Sequence, residues 1–211
     1  MEPLPKTFSL TVQALHFGFA ERAVFTNLNL KLASGITLIR GGDGRGKSSL
    51  LRLLAGTLEP TSGQICINEC SATAQSVAYR AQVFWAEPRT EEFDQLTVLE
   101  YFAFQRKHLA QFDGDVLAEV VNGLALELHQ HKQLFMLSTG SKRKVWLAAA
   151  FASGAAVTLL DEPFAALDGP SISFILTWLS QSALSTRRIW VIADYQAPPG
   201  LYLAQVVDLG D

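Results

Sequence analysis

The sequence predicts an α/β fold with a mainly parallel core sheet, an N-terminal antiparallel β subdomain and an inserted helical subdomain. Three observations predict it. A short buried-type strand, Ile36-Thr37-Leu38-Ile39, runs into a glycine-rich turn and then a leucine-dense helix. Farther on, Val157-Thr158-Leu159-Leu160 and Ile189-Trp190-Val191-Ile192 flank a helical stretch from Ile172 to Leu179. Strand–helix–strand alternation of this kind means parallel pairing. Between these regions, from about Pro88 to Leu137, apolar residues recur at three- and four-residue spacing, the period of a helix.

Taken in order, the elements agree. From Phe8 to Leu32 apolar and polar residues alternate around Ser9-Leu10-Thr11-Val12 and Leu28-Asn29-Leu30, which predicts antiparallel strands with one wet face. The helix after the glycine turn carries Leu50, Leu51, Leu53, Leu54 and Leu58, and Gly56 and Pro60 close the segment. Leu96 to His108 and Asp115 to Leu126 read as helices separated by Asp113-Gly114. Another helix follows Gly140, to about Ser153. The 211 residues, 49% of them hydrophobic, suffice for one substantial core. Residues 1–211 therefore read as one folded unit, with an insertion over about 88–148.

Composition excludes several functions. The formal net charge of −3 leaves no basic footprint for nucleic acid. The opening Met1-Glu2-Pro3-Leu4-Pro5 does not read as a secretory leader. The uncharged run Val145 to Leu160 is shorter than the roughly 20 residues a spanning helix needs. It contains Gly154 and runs into Asp161-Glu162, so a membrane role must come through a partner. Cys66 and Cys70 read as free thiols, too few for a metal site. His129 and His131 read as the wet face of a helix end, and Trp146, Trp178 and Trp190 as core.

The chemistry concentrates at the glycine turn. Gly41-Gly42-Asp43-Gly44-Arg45-Gly46-Lys47-Ser48 fits G-x-x-x-x-G-K-[ST], the phosphate-binding loop of P-loop NTPases. Glycines let the backbone wrap so that successive N–H groups point at phosphate oxygens, and the following helix adds its positive end. Lys47 is placed to reach the β and γ phosphates, and the Ser48 hydroxyl to ligate Mg²⁺; Ser49 completes the candidate set. At the end of the later strand, Asp161 is placed to hold the Mg²⁺ shell and Glu162 to polarise an attacking water. The expected ligands are ATP and Mg²⁺. Taken without the glycine loop, Asp161-Glu162 is equally an ordinary solvated strand end.

Three further segments carry a family resemblance. Leu137-Ser138-Thr139-Gly140-Ser141-Lys142-Arg143-Lys144-Val145 resembles the signature segment of ABC ATPases, usually LSGGQ followed by basic residues. Phe164-Ala165-Ala166-Leu167-Asp168 resembles their D-loop, and Leu96-Thr97-Val98-Leu99-Glu100-Tyr101 the segment that opens their helical subdomain. Order and spacing match from Leu10 to about Leu209. The resemblance implies a head-to-tail dimer with a second cassette, identical or different. Two ATP molecules lie at its interface, each between the P-loop of one cassette and the signature of the other. It also implies a separate transmembrane permease subunit and a peripheral position on the cytoplasmic face of the inner (plasma) membrane. Ser138 and Gly140, at a helix start, would offer a hydroxyl and free N–H groups to a γ-phosphate. Lys142, Arg143 and Lys144 oppose the dipole of that helix and make sense beside anionic neighbours. The family's adenine-stacking aromatic corresponds to Phe17, in His16-Phe17-Gly18, with Phe19 as the second choice. The short chain and Leu159-Leu160-Asp161-Glu162-Pro163-Phe164 look most like the haem-exporter cassettes of cytochrome c biogenesis.

The sequence departs from the family pattern in places. Glu87 stands where the family has a glutamine; a carboxylate can still ligate Mg²⁺. Asp194 takes the place of the switch histidine, and an ionised Asp cannot donate a hydrogen bond to a γ-phosphate. With the loop shifted by one, the Tyr195 hydroxyl donates instead. ATP binding with slow hydrolysis, or hydrolysis only beside a complete partner cassette, is the expectation. Thr139 and Ser141 in the signature are milder changes. The leading function is the ATP-driven subunit of a transporter. The alternatives are a soluble ABC ATPase without a transport role, whose usual second cassette, coiled-coil insertion or zinc motif is missing here, and a low-turnover regulatory ATP-binding module.

Overall fold

The computed structural model describes residues 8–20, 22–87, 90–185 and 188–210. Met1 to Pro5 and Pro88, at the expected start of the insertion, lie outside the described residues. The chain runs β1 (Ser9–Phe19), β2 (Arg22–Ala33), β3 (Gly35–Arg40), α1 (Lys47–Leu54), β4 (Ser62–Ile67), β5 (Cys70–Ser71), α2 (Ser76–Arg80) and β6 (Val83–Trp85). There follow α3 (Val98–His108), α4 (Gly114–Gly123), α5 (Thr139–Ala152), β7 (Val157–Asp161), α6 (Gly169–Ser185), β8 (Ile189–Asp194) and β9 (Gln205–Asp208).

These strands make an antiparallel sheet in the order β2-β1-β4-β5 and a five-stranded sheet in the order β6-β7-β8-β3-β9. Every pairing in the second sheet is parallel. Its central strands are apolar on both faces because both faces are covered. In β8, Trp190 and Ile192 point into one core cluster, with α5 and the inserted helices. Ile189, Val191 and Ala193 point into the other, with α1 and the antiparallel sheet. In β1 the alternation breaks at Ala14, which has φ 46°, and its N–H is held by the Asn29 side chain at 2.9 Å. This is a bulge, and the register shifts there.

The helices α3, α4 and α5 lie between β6 and β7 in the chain. Thr97 and Glu100 form a capping box at the start of α3, with the Thr97 N–H donating to Glu100 at 2.7 Å. Asp113 caps α4. The α5 helix is buried along Val145 to Ala152 and stops against Arg188. That guanidinium donates to the carbonyls of Ala150 and Phe151, both at 3.1 Å, and stands 4.3 Å from the Trp190 ring. A cation there satisfies the last carbonyls and the negative end of the helix. Burial pulls the Arg188 guanidinium down to about 10.

The structure differs from the sequence reading at short elements. β6, β9 and α2 are too brief to show a period, and α6 runs from Gly169 to Ser185, past both ends of the expected 172–179. His129 falls in a single 3₁₀ turn, Glu127–His129, rather than at the end of an α-helix. Among the described residues, no helix is long and apolar enough to cross a membrane.

Candidate nucleotide site

The P-loop leaves β3 at its carboxyl end and enters α1 at Lys47. Gly46 caps that helix with φ 91°, and a Cβ there would lie 2.5 Å from Val24 Cγ1 and 2.9 Å from Phe25 Cζ. Glycine is required by both the backbone and the space. The Lys47 ammonium is buried. It donates to the carbonyls of Gly41 at 2.6 Å and Gly42 at 3.0 Å, so the loop curls around it. Gly44, with φ 70°, has open space above it. The cleft over this loop is lined by Gly42, Asp43, Lys47, Ser48 and Ser49, and by Glu162 and Phe19 from outside the loop.

A second cleft adjoins it, lined by Ser48, Arg52, Glu87, Asp161, Glu162 and Arg143. β7 delivers Asp161 there, to the cleft that Ser48 also lines. Burial, reinforced by the charge of Glu162, lifts the Asp161 carboxyl above its usual range, against Ser48, Lys47 and Arg143. Glu162 turns out of the strand with φ 46°, a left-handed conformation that costs a non-glycine residue energy, and its N–H donates to Ala193 at 2.9 Å. Asp194, the last residue of β8, is likewise raised by burial and then by Glu162. Three carboxylates thus converge, with Lys47 and Arg143 as cations beside them. Burial lowers the Arg143 guanidinium while Glu162, Asp161 and Asp194 pull it back up, and it donates to Ala165 at 2.6 Å. A hydroxyl beside carboxylate oxygens is the hard-oxygen donor set Mg²⁺ takes, and the curled loop with its ammonium suits polyphosphate. The residues fit both groups.

The signature segment starts α5. Ser138 caps the helix, accepting from the Ser141 N–H at 3.1 Å. A Cβ on Gly140 would stand 2.3 Å from the Ala166 carbonyl oxygen, so glycine lets the D-loop backbone lie against the helix. Lys142 pairs with Asp94 at 2.5 Å and Lys144 with Asp168 at 2.7 Å. The basic trio is therefore matched by acidic or carbonyl partners and is not a solvated helix start. Lys144 and Ser171 together hold the Asp168 carboxyl far below its usual range. Ser138 and Gly140 do not line the P-loop cleft of their own chain.

The structure separates the two aromatic candidates and shows what surrounds the switch position. Phe17 is 6% exposed, paired across from Phe25 inside the core cluster, and cannot present a face to a base. Phe19, 53% exposed, lines the P-loop cleft, its ring edge-on to Phe17 at 4.9 Å. The core cover ends at the end of β1, which frees Phe19. At the switch position, Asp194 lies beside Glu162 and Arg143 and accepts from the Tyr195 N–H at 2.7 Å. Tyr195 itself turns over the cradle, its ring 4.1 Å from Lys47 Nζ and its hydroxyl donating to Asp43. Glu87 sits exposed at the mouth of the second cleft, on the side of Ser48 and Asp161. Sequence reasoning missed Arg52 and the target of Arg143; the charge of a helical arginine gives no sign of what it faces.

The chain matches the ABC transporter family over residues 25–165. It is similar to the cytochrome c biogenesis ATP-binding export protein CcmA of Pseudomonas syringae pv. syringae (strain B728a), with 36% identity over 173 residues and 80% of each chain covered. The CcmA protein of Pseudomonas savastanoi pv. phaseolicola (strain 1448A / Race 6) is 34% identical over 153 residues, 72% of each chain. A solved ATP-binding subunit of an ABC transporter superposes with a TM-score of 0.79 at 22% identity, covering 87% of this chain and 78% of that one. With its P-loop, strand-end carboxylates and signature helix in one α/β frame, the chain belongs to the ABC transporter family, as an ATP-binding cassette.

Proposed function

We propose that this cassette binds and hydrolyses Mg-ATP in a head-to-tail dimer and drives transport through a separate membrane subunit. The observation that carries the reading is that Ser48 of the P-loop and the strand-end carboxylates Asp161 and Glu162 line one cleft. Lys47 neutralises phosphate charge, and the loop N–H groups orient the phosphates. Ser48 and Asp161, with Glu87 on the same cleft, would hold the Mg²⁺ ion. When bound, Mg²⁺ would supply positive charge that offsets the negative charge developing on the phosphate oxygens. Glu162 accepts a proton from the attacking water. Arg143 keeps Asp161, Glu162 and Asp194 from repelling one another.

The dimer accounts for the position of the signature. Ser138 and Gly140 lie outside their own P-loop cleft, so they are free to close the cleft of a second cassette. Phe19 stacks on the base. The membrane subunit docks in the groove of Trp85, Glu87, Phe93, Tyr101, Gln105 and Trp146. Its floor is an aromatic cluster, with Tyr101 and Trp146 centroids 4.7 Å apart. The likeness to the CcmA proteins favours an export role linked to cytochrome c biogenesis and a place at the cytoplasmic face of the membrane.

Asp194 favours a second reading in which turnover is low. An ionised carboxylate beside Glu162 repels a γ-phosphate and cannot donate to it. Asp194→His is expected to raise the ATPase rate; an unchanged rate would count against this role. The main reading is tested by capture of the tagged chain from detergent-solubilised membranes. A polytopic membrane protein in fixed proportion is expected, and recovery of soluble proteins alone would contradict it. In the same sample Glu162→Gln with Mg-ATP is expected to hold two cassettes together.

A further inference from the structure

The approach to Lys47 is covered by Tyr195. An ammonium has three N–H groups. Lys47 directs its nitrogen at the carbonyls of Gly41 and Gly42, at 2.6 and 3.0 Å, and the Tyr195 ring stands over it at 4.1 Å from the centroid. The same side chain donates its hydroxyl to Asp43, in the middle of the P-loop. That hydrogen bond is also the main reason the Tyr195 phenol is raised above its usual value. The two contacts engage the cation that a β-phosphate needs and the loop that must wrap around it.

Tyr195 is free to leave. It is 47% exposed, immediately after the end of β8, and belongs to neither core cluster. Moving it opens neither core cluster. What holds it is a cation–π contact and one hydrogen bond to a carboxylate, interactions that a polyphosphate replaces with stronger ones to the same ammonium.

We propose that Tyr195 is a latch on the phosphate cradle: it holds Lys47 and Asp43 while the site is free of nucleotide and is displaced when a nucleoside di- or triphosphate binds. The inference rests on the reading of the P-loop as a nucleotide site and adds a control to it. The latch opposes ligands that carry a β-phosphate, because only these contact Lys47. A nucleoside monophosphate that stops short of the ammonium is indifferent to it.

The test is equilibrium binding of Mg-ADP and of AMP to the full chain and to its Tyr195→Ala and Tyr195→Phe variants. Tyr195→Ala is expected to bind Mg-ADP about five- to fiftyfold more tightly than the wild type, the worth of one exposed cation–π contact and one hydrogen bond, with AMP unchanged. Tyr195→Phe keeps the ring and loses the bond to Asp43, so it should show a smaller gain. Equal or weaker Mg-ADP binding by Tyr195→Ala overturns the latch, as does an equal gain for AMP. If Tyr195→Ala melts below the assay temperature, Tyr195→Phe decides alone: a gain supports the latch and its absence overturns it. Failure of the wild type to bind Mg-ADP would instead overturn the nucleotide site.

Discussion

Asp161 and Glu162 are neighbours in the chain with different surroundings, and the turn between them makes the difference. Asp161 ends a strand and faces Ser48; Glu162, at φ 46°, leaves the strand line and borders both clefts. On this account Glu162→Gln keeps Mg-ATP affinity and lowers turnover by about 10²-fold or more, the usual worth of a general base. Single-turnover kinetics beside a binding titration check it. The two phenylalanines separate in the same way. Phe17→Ala opens a cavity in the core and is expected to cost about 3–5 kcal/mol of stability. Phe19→Ala leaves the melting temperature nearly unchanged and weakens ATP binding. At this scale the P-loop was fully legible, because its chemistry needs fixed residues at fixed local spacing. Phe19 over Phe17 was not legible, because both lie in one alternating strand, and the choice depends on where the other strands stop covering it. Arg143 was visible only as a charge, since its carboxylates come from segments far along the chain.

At the scale of elements, α5 is positioned at both ends by contacts that its own sequence does not announce. Its first turn meets the D-loop through Gly140, where an added Cβ would lie 2.3 Å from the Ala166 oxygen. Gly140→Ala therefore displaces the D-loop and is expected to lower ATPase activity more than nucleotide affinity. Lys144 and Asp168 tie the same two segments, and their pH dependence has a definite sign. A carboxyl held far below its ordinary value in the folded state contributes stability above the ordinary carboxylate range. That contribution fades as pH falls toward the folded value. The difference in melting temperature between the wild type and Asp168→Asn is thus constant from pH 7 to pH 5 and shrinks below about pH 4. At the other end, Arg188→Ala leaves the carbonyls of Ala150 and Phe151 without their donor; a loss of about 2–3 kcal/mol in chemical denaturation is expected. Periodicity revealed β3, β7, β8 and the long helices, whose apolar runs are set by two covered faces. It could not reveal β6 and β9, of 3 and 4 residues, which are held by pairing with β7 and β3.

Across the whole molecule, the parallel sheet separates two cores, one with the inserted helices and one with the antiparallel sheet. The nucleotide cleft lies at the carboxyl end of that sheet, as is usual for open α/β folds. Its two clefts gather P-loop, carboxylates, Arg143, Glu87 and Phe19, while Ser138 and Gly140 line neither of them. The proposed dimer gives Ser138 and Gly140 a place at the cleft of a second cassette. The order of motifs in the chain conveyed this architecture early. The guard on the cradle stayed hidden, because Tyr195 and Asp43 are 152 residues apart and meet only when β8 lies beside β3. The measurement that tests the central claim most directly is calorimetric titration of the purified chain with Mg-ATP, beside a Lys47→Ala variant whose melting is monitored in parallel. The account predicts one nucleotide bound per wild-type chain, and binding weakened at least tenfold in a variant that remains folded. No binding by the wild type, or equal affinity in the two proteins, would contradict it.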